Sequence, residues 1–425
     1  MLIKGGRIID PAQELDGIFD LRINQGVVES IAEHLSVAEG EQVLDATNCI
    51  VAPGFIDMHV HFREPGFPEK ETLATGSAAA AAGGFTAVAC MPNTKPAIDT
   101  PEVIRQILAA SYPKNAARIY PVAAITRGRK GEELLDYTAL EESGAVAFSD
   151  DGNTVMNPLV LRNAALAARG SAACFISHCE DEVLKGDAVM HLGEASKELG
   201  VLGSPGVAED IIVARDALIA ADTGKRWHIA HVSTKRSVDL VNWLRATTTV
   251  SITCEVTPHH LFFTDTSLLE LGAKGKVNPP LRERDDASAL RQAVREGRID
   301  VFATDHAPHT ASEKAGDTST AAVGFTGLEV ALGAYALAVP DLPLTRFIEL
   351  LSTSPARVLG IPGGTLKVGA PGDVTIFAER KWVVESTAFY SKGKATPFDG
   401  MNLPRRAVAT IIGGELVMHE GRVLR

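Results

Sequence analysis

Through the middle of the chain, short apolar runs alternate with longer amphipathic ones. Runs rich in β-branched, aromatic and small apolar residues occur at 55–60 (FIDMHV), 85–91 (FTAVACM), 118–125 (RIYPVAAI) and 145–149 (AVAFS). They recur at 173–177 (ACFIS), 227–232 (WHIAHV), 249–256 (TVSITCEV) and 299–304 (IDVFAT). Most are separated by helix-like stretches such as KETLATGSAAAAAGG, TPEVIRQILAAS, GVAEDIIVARDALIAADTG and DDASALRQAVREG. The alanine run 78–82 reads as a tightly packed helix face. Eight strands alternating with helices over about 310 residues predict a (β/α)8 TIM-type barrel in preference to an open parallel sheet.

The two ends follow a different pattern. LIKGGRIID at the start and ATIIGGELVMHEGRVLR at the end are β-rich runs interrupted by Gly-Gly, a hairpin signal. DLRINQGVVESIA, QVLDATNCIVAPG and GTLKVGAPGDVTIFA continue it. This predicts a small β-sandwich domain formed from both chain ends, residues 1–53 and 363–425, with the barrel, 54–362, inserted between them.

Composition narrows the function classes. The chain of 425 residues carries a formal net charge of −12 and no Lys/Arg run, so no nucleic-acid partner is expected. No stretch approaches the roughly 18 apolar residues of a membrane helix, and no membrane association is expected. The N-terminus lacks the charged-then-apolar layout of a secretory signal. Five cysteines without a CxxC read as free thiols in a reducing compartment, so the expected location is cytoplasmic.

Chemistry enters at the strand ends, where a barrel of this kind places its active site. The first run ends in His59-Val60-His61, and alternate residues of a strand share a side. The fourth ends near Asp150 and Asp151, the fifth at His178, the sixth at His231 and the eighth at Asp305. An H-x-H pair alone is a weak signal. Imidazoles and carboxylates gathered at one rim suit zinc or a similar divalent ion, and with it hydrolysis by activated water. This many candidate ligands could hold two ions sharing a carboxylate. Asp305 could also serve as an acid–base group.

DMHVHFREP (57–65) and ATDHAPHTASEK (303–314) resemble the two signature segments of the dihydroorotase family, within the amidohydrolase superfamily. MPNT (91–94), FSDDG (148–152), ISHCED (176–181), AHVST (230–234), EVTPHH (255–260) and VNPPLR (277–282) match in order. The resemblance implies reversible interconversion of N-carbamoyl-L-aspartate and L-dihydroorotate in pyrimidine synthesis. It implies His59, His61, Asp151, His178, His231 and Asp305 as metal ligands, with Asp151 bridging and Asp305 also the catalytic acid/base. It implies Arg63, Asn93 and His309 on the substrate carboxylate, Asn278 on the ring, and the Val323-Gly324 backbone beside it; His61 also faces the substrate. A planar guanidinium suits a carboxylate, and side-chain amides can both donate to and accept from a ring amide.

Relatives such as hydantoinases and allantoinases carry a carboxylated lysine after the fourth strand. Here AVAFSDDG offers aspartate, as in one bacterial branch of the family, so one or two zinc ions are expected, two favoured. The alternatives are another cyclic amidohydrolase, or a non-catalytic partner of aspartate carbamoyltransferase that would have lost metal ligands. A homo-oligomer, a dimer, is expected, with aspartate carbamoyltransferase as a candidate partner. His259, His260 and His306 receive no role; His228 is expected to be structural, and His34, His191 and His419 to lie elsewhere. The small, polar stretch 310–322 is expected to form a loop over the mouth that orders with substrate.

Overall fold

A computed structural model describes all 425 residues. Its centre is an eight-strand parallel sheet in sequence order: β1 (Phe55–Val60), β2 (Phe85–Cys90), β3 (Arg118–Ala123), β4 (Ala147–Phe148), β5 (Cys174–Ser177), β6 (Trp227–Ile229), β7 (Ile252–Val256) and β8 (Val301–Phe302). A parallel bridge between Val60 and His306 brings the chain after β8 back to β1, so the barrel is nearly closed.

The helices arise where the apolar periodicity changes. In the helix Arg284–Arg295, Ala287, Leu290, Ala293 and Val294 are buried on one stripe and the charged residues face outward. The helix Leu73–Gly83 starts at a Thr72–Thr75 capping box and buries Ala79, Ala80 and Ala81, the close packing that small side chains allow. Odd- and even-numbered residues of the barrel strands divide between two cores. Val88, Phe148, Phe175, Trp227 and Phe302 pack outward with the helices, as does Phe85, which precedes a register shift and so departs from the parity of Ala87. Ile56, Met58, Ala87, Ala89, Val122, Ala147, Ile176 and Val301 fill the interior.

β1 departs from simple alternation. Its register against β2 shifts between Asp57 and Val60. Ile56 and Met58 fill the barrel, yet His59 and His61, of the opposite parity, reach the mouth of the same interior. The bulge reconciles the two, as bulges beside active sites do by re-aiming a side chain. The strand also stops at Val60, and Arg63 adopts a left-handed φ of 60°. Its direction is therefore set by the loop and not by continued strand alternation.

The chain ends build a separate nine-strand sheet, mostly antiparallel. Strand Leu2–Asp10 pairs with Leu15–Asn24 on one side, and on the other with Val43–Asp45 and then Ile50–Pro53, to either side of a register shift between Ile3 and Gly6. Val374–Ala378 joins Ile50–Pro53 to the C-terminal strands. One apolar core unites Ile8, Leu21 and Val28 with Val374, Ile376 and Ile411, so the sheet encloses its own interior. Gly54 alone separates it from β1. No helix is long and apolar enough to cross a membrane.

Candidate active site

Five barrel strands deliver their C-terminal ends to one mouth. His59 lies within β1 and His61 just past it; Asp151 follows β4, His178 follows β5, His231 follows β6 and Asp305 follows β8. All six are buried. Asp151 is their centre. Its Oδ1 lies 3.3 Å from His59 Nε2, 3.7 Å from His178 Nδ1 and 3.8 Å from His231 Nε2, and its Oδ2 lies 3.4 Å from His61 Nε2. Asp305 Oδ1 lies 2.9 Å from His61 Nε2 and 3.6 Å from His59 Nε2. Two compact donor sets result, His59–His61–Asp151 and Asp151–His178–His231, with Asp151 common to both.

These residues fit a divalent ion. His59 Nε2 and Asp151 Oδ1 are buried and lack hydrogen-bond partners. Orphaned buried polar atoms are costly unless something pairs with them, and a cation on nitrogen and oxygen donors would do so. Burial works against charge on Asp151, yet the surrounding histidines hold its carboxyl well below the ordinary range. Burial also opposes ionisation of Asp305, and the bond from His61 with the charge of His59 again prevails. Both groups are anions ready for a cation.

The imidazoles are held from behind. His59 Nδ1 donates to Glu255 at 2.6 Å, turning Nε2 toward Asp151. Glu255 also accepts from His228 Nε2 at 3.1 Å and from the His231 backbone N–H at 3.1 Å. Burial is outweighed by these histidines, and the Glu255 carboxyl is held at about 2. His178 Nε2 donates to Glu180 at 3.0 Å, leaving Nδ1 for the centre, and Lys185 Nζ donates to the same oxygen at 2.7 Å. His61 Nδ1 donates to Asn93 Oδ1 at 2.8 Å. Asp57 accepts the backbone N–H groups of His59 and Thr304, tying β1 to the end of β8. Such partners fix the tautomer and orientation of a metal-binding histidine. Glu255, Glu180 and Asp57 carried no expectation. For Glu255 and Asp57 the signal was a carboxylate inside an apolar run, where burial demands a partner; Glu180, in SHCEDE, offered none.

A cavity of about 180 Å³ opens above this centre. It is lined by every candidate named from the sequence except His59, which lies beneath, and Asp150, which instead accepts the Ile125 and Thr126 N–H groups. Arg63 Nε donates to the Pro308 carbonyl at 3.2 Å. Burial lowers its guanidinium to about 10, so it stays cationic at neutral pH. His309 Nε2 donates to the Val323 carbonyl at 2.8 Å; burial, reinforced by Arg63 and Lys70, pushes its imidazole down to about 4. Gly324 has φ 107°, and a Cβ there would fall 2.6 Å from that of Ala307, so the backbone can line the cavity only as glycine. The Asn278 amide is satisfied with its nitrogen on Val277 O (3.0 Å) and its oxygen on Lys185 Nζ (2.7 Å).

The remaining histidines sort by contact. His228 supports Glu255. His260 bridges Thr257 Oγ1 and Pro279 O, beside the Asn278 loop. His306 Nδ1 accepts from the N–H groups of Gly327 and Leu328. His259 packs against the rings of His260 and Phe325. His34, His191 and His419 are absent from the lining, as expected. A larger cavity, about 380 Å³, lies where Ala82-Gly83 meets Trp382, Phe389 and Arg405. It contains neither metal-type donor set.

Comparison with known proteins finds relatives along the whole chain. The profile of the family described as Dihydro-orotase-like matches residues 48–237. The chain is 47% identical over 429 residues to a dihydroorotase of Pelotomaculum thermopropionicum, covering 100% of both chains. It is 43% identical to a dihydroorotase of Syntrophus aciditrophicus, covering 99% of each. Among solved structures, the L-hydantoinase (dihydropyrimidinase) of Arthrobacter aurescens superposes with a TM-score of 0.87 at 24% identity, over 100% of this chain and 97% of that one. At that identity the likeness concerns the fold: a TIM barrel with a separate sheet from the chain ends.

Proposed function

The chain belongs to the dihydroorotase family, and from that premise we propose how its own residues carry out the family's reaction. It is a cyclic-amide hydrolase whose reaction is the reversible closure of N-carbamoyl-L-aspartate to L-dihydroorotate, a step of pyrimidine synthesis. His59, His61, Asp151 and Asp305 would hold one zinc ion and Asp151, His178 and His231 a second. The observation that carries this assignment is the position of Asp151 between the two donor sets. Bound zinc supplies a Lewis acid and lowers the pKa of water.

Arg63, Asn93 and His309 hold the substrate carboxylate. With His309 neutral, Arg63 provides the positive charge. Asn278 and the Val323-Gly324 backbone contact the ring, and His61 borders it. In the opening direction the Asp305 carboxylate takes a proton from the attacking water. It returns that proton to the ring nitrogen as the C–N bond breaks. In the closing direction the same carboxylate takes the proton from the carbamoyl nitrogen as it attacks and delivers it to the departing oxygen.

The acidic-substrate side chains favour this reading over a hydantoinase, whose substrates need no carboxylate clamp. The full ligand set favours it over a non-catalytic subunit. Metal analysis alongside turnover tests it. Two zinc ions per chain, lost with activity to a chelator and restored with it, are expected. One ion per chain would replace the binuclear reading; a protein that binds no metal and leaves dihydroorotate intact would refute the assignment.

We also propose a homo-oligomer, a dimer, with aspartate carbamoyltransferase as a candidate further partner. Val183, Leu202, Leu159 and Leu218 are 83%, 66%, 62% and 53% exposed, and the helices that carry Leu159 and Val183 both contact the helix that carries Leu218. Exposed apolar groups on adjoining segments suit an association surface. Light scattering should give twice the chain mass, and aspartate at Val183 and Leu202 should give the monomer. The five unpaired cysteines support a cytoplasmic location.

A further inference from the structure

The stretch from Tyr390 to Thr396 has no regular secondary structure, yet it is fastened on both sides. It comes from the C-terminal part of the chain and crosses to the barrel mouth. The Tyr390 and Ser391 N–H groups donate to Glu329 at 3.0 and 3.1 Å. Ser391 Oγ donates to the buried carboxylate of Glu71, and the Lys392 N–H donates to it at 3.3 Å. Thr326 donates from its N–H to Ala395 O at 2.9 Å and from its hydroxyl to Gly393 O at 3.0 Å.

Glu71 also lies 3.5 Å from Nε2 of the fully buried His306. The carbonyl of His306 accepts the His61 N–H at 2.8 Å. One carboxylate thus joins the strap, the loop after Arg63 and the residue after Asp305. Gly393 adds a steric constraint. A Cβ there would fall 2.7 Å from Pro308 Cβ, 2.8 Å from Thr326 Oγ1 and 3.1 Å from Pro308 Cα. Pro308 precedes His309, and its carbonyl accepts from Arg63 Nε.

We propose that the strap 390–396 is a positioning element for the carboxylate-holding side chains, acting through Gly393 on Pro308 and through Ser391 on Glu71. This rests on the assignment of Arg63 and His309 made above. No strap residue lines the cavity, so the strap acts on substrate only by placing these groups.

The test uses the full-length zinc-loaded enzyme with Gly393→Ala, Ser391→Ala and Ser391→Thr. Gly393→Ala should raise KM for dihydroorotate roughly tenfold, with kcat within about threefold and zinc content unchanged, because misplacement weakens binding before chemistry. Ser391→Ala, a milder change in case the glycine variant misfolds, should raise KM in the same direction, and Ser391→Thr should restore it. A lower melting temperature with KM unchanged in both would overturn the proposal, leaving a plain fastening. Amide exchange of 61–71 and 305–309 in the substrate-free protein gives a second readout, independent of the reaction. Faster exchange there in Gly393→Ala supports the strap's role even if the wild type fails to open dihydroorotate; unchanged exchange counts against it.

Discussion

Asp305 and His231 sit at the barrel mouth with backbone φ values of 49° and 30°, and Arg63 at 60°. Non-glycine residues in that region cost about 1–3 kcal/mol each and cluster where function over-determines the backbone. The histidines and Asp305 could be read from the sequence because strand ends are periodic. Glu255 could not, because its importance depends on which imidazole stands across from it. Two predictions belong here. Asp305→Asn should lower kcat by about 10²–10⁴-fold, the usual worth of a general acid–base, while circular dichroism stays native. Near-wild-type turnover would remove Asp305 from that role. Glu255→Gln keeps the shape but loses the anion behind His59 and His228. Zinc affinity should fall about 10–100-fold in a chelator competition, as when other partners behind metal-bound histidines are lost; unchanged affinity would make Glu255 only a core residue.

At the scale of elements, alternation located all eight barrel strands and the order of their chemistry. It did not reveal the bulge between Asp57 and Val60, since a bulge is set by pairing with β2 and leaves no composition signal. The stretch 310–322 read only as small and polar. The structure ties it down at defined points: Lys314 Nζ donates to the carbonyls of Ala322 and Gly324 at 2.8 Å each, and Glu313 pairs with Lys70 at 2.6 Å. One of those ties ends on the Gly324 backbone that lines the cavity. Saturating dihydroorotate should therefore slow proteolysis within 310–322 several-fold, as expected of a segment ordered by ligand. Equal cleavage rates with and without it would count against a lid. Lys314→Met leaves two carbonyls without their donor and should abolish most of that protection.

At the scale of the whole molecule, the β-rich character of both ends pointed to one shared sheet, but only Gly413-Gly414 turns a hairpin; Gly5-Gly6, expected to do the same, lies inside strand Leu2–Asp10 beside its register shift. We propose 1–53 with 363–425 as one unit around the barrel 54–362. Which side chains cross between the ends and the barrel was beyond pattern reading, because contacts between residues hundreds of positions apart leave no local trace. Glu329 is such a contact. It belongs to the segment after β8 and accepts the backbone N–H groups of Tyr390 and Ser391, with Lys394 and Glu71 as its charged neighbours. Burial pushes its carboxyl up to about 7; the two N–H bonds and Lys394 pull it down, and Glu71 adds to the rise. In an unfolded chain the same carboxyl ionises near about 4.3. Between these values the native form keeps a proton that the unfolded chain has released. The contribution of Glu329 to stability is therefore intact below about 4.3 and is lost as pH rises through about 7. Glu329→Gln keeps an acceptor for the strap and cannot ionise. Denaturant unfolding of the two proteins from pH 5 to 8 should show the variant gaining on the wild type as pH rises, by about 3 kcal/mol at most for a shift of this size. Parallel stability curves would mean that Glu329 is ionised throughout, paired closely enough with Lys394 to offset its burial.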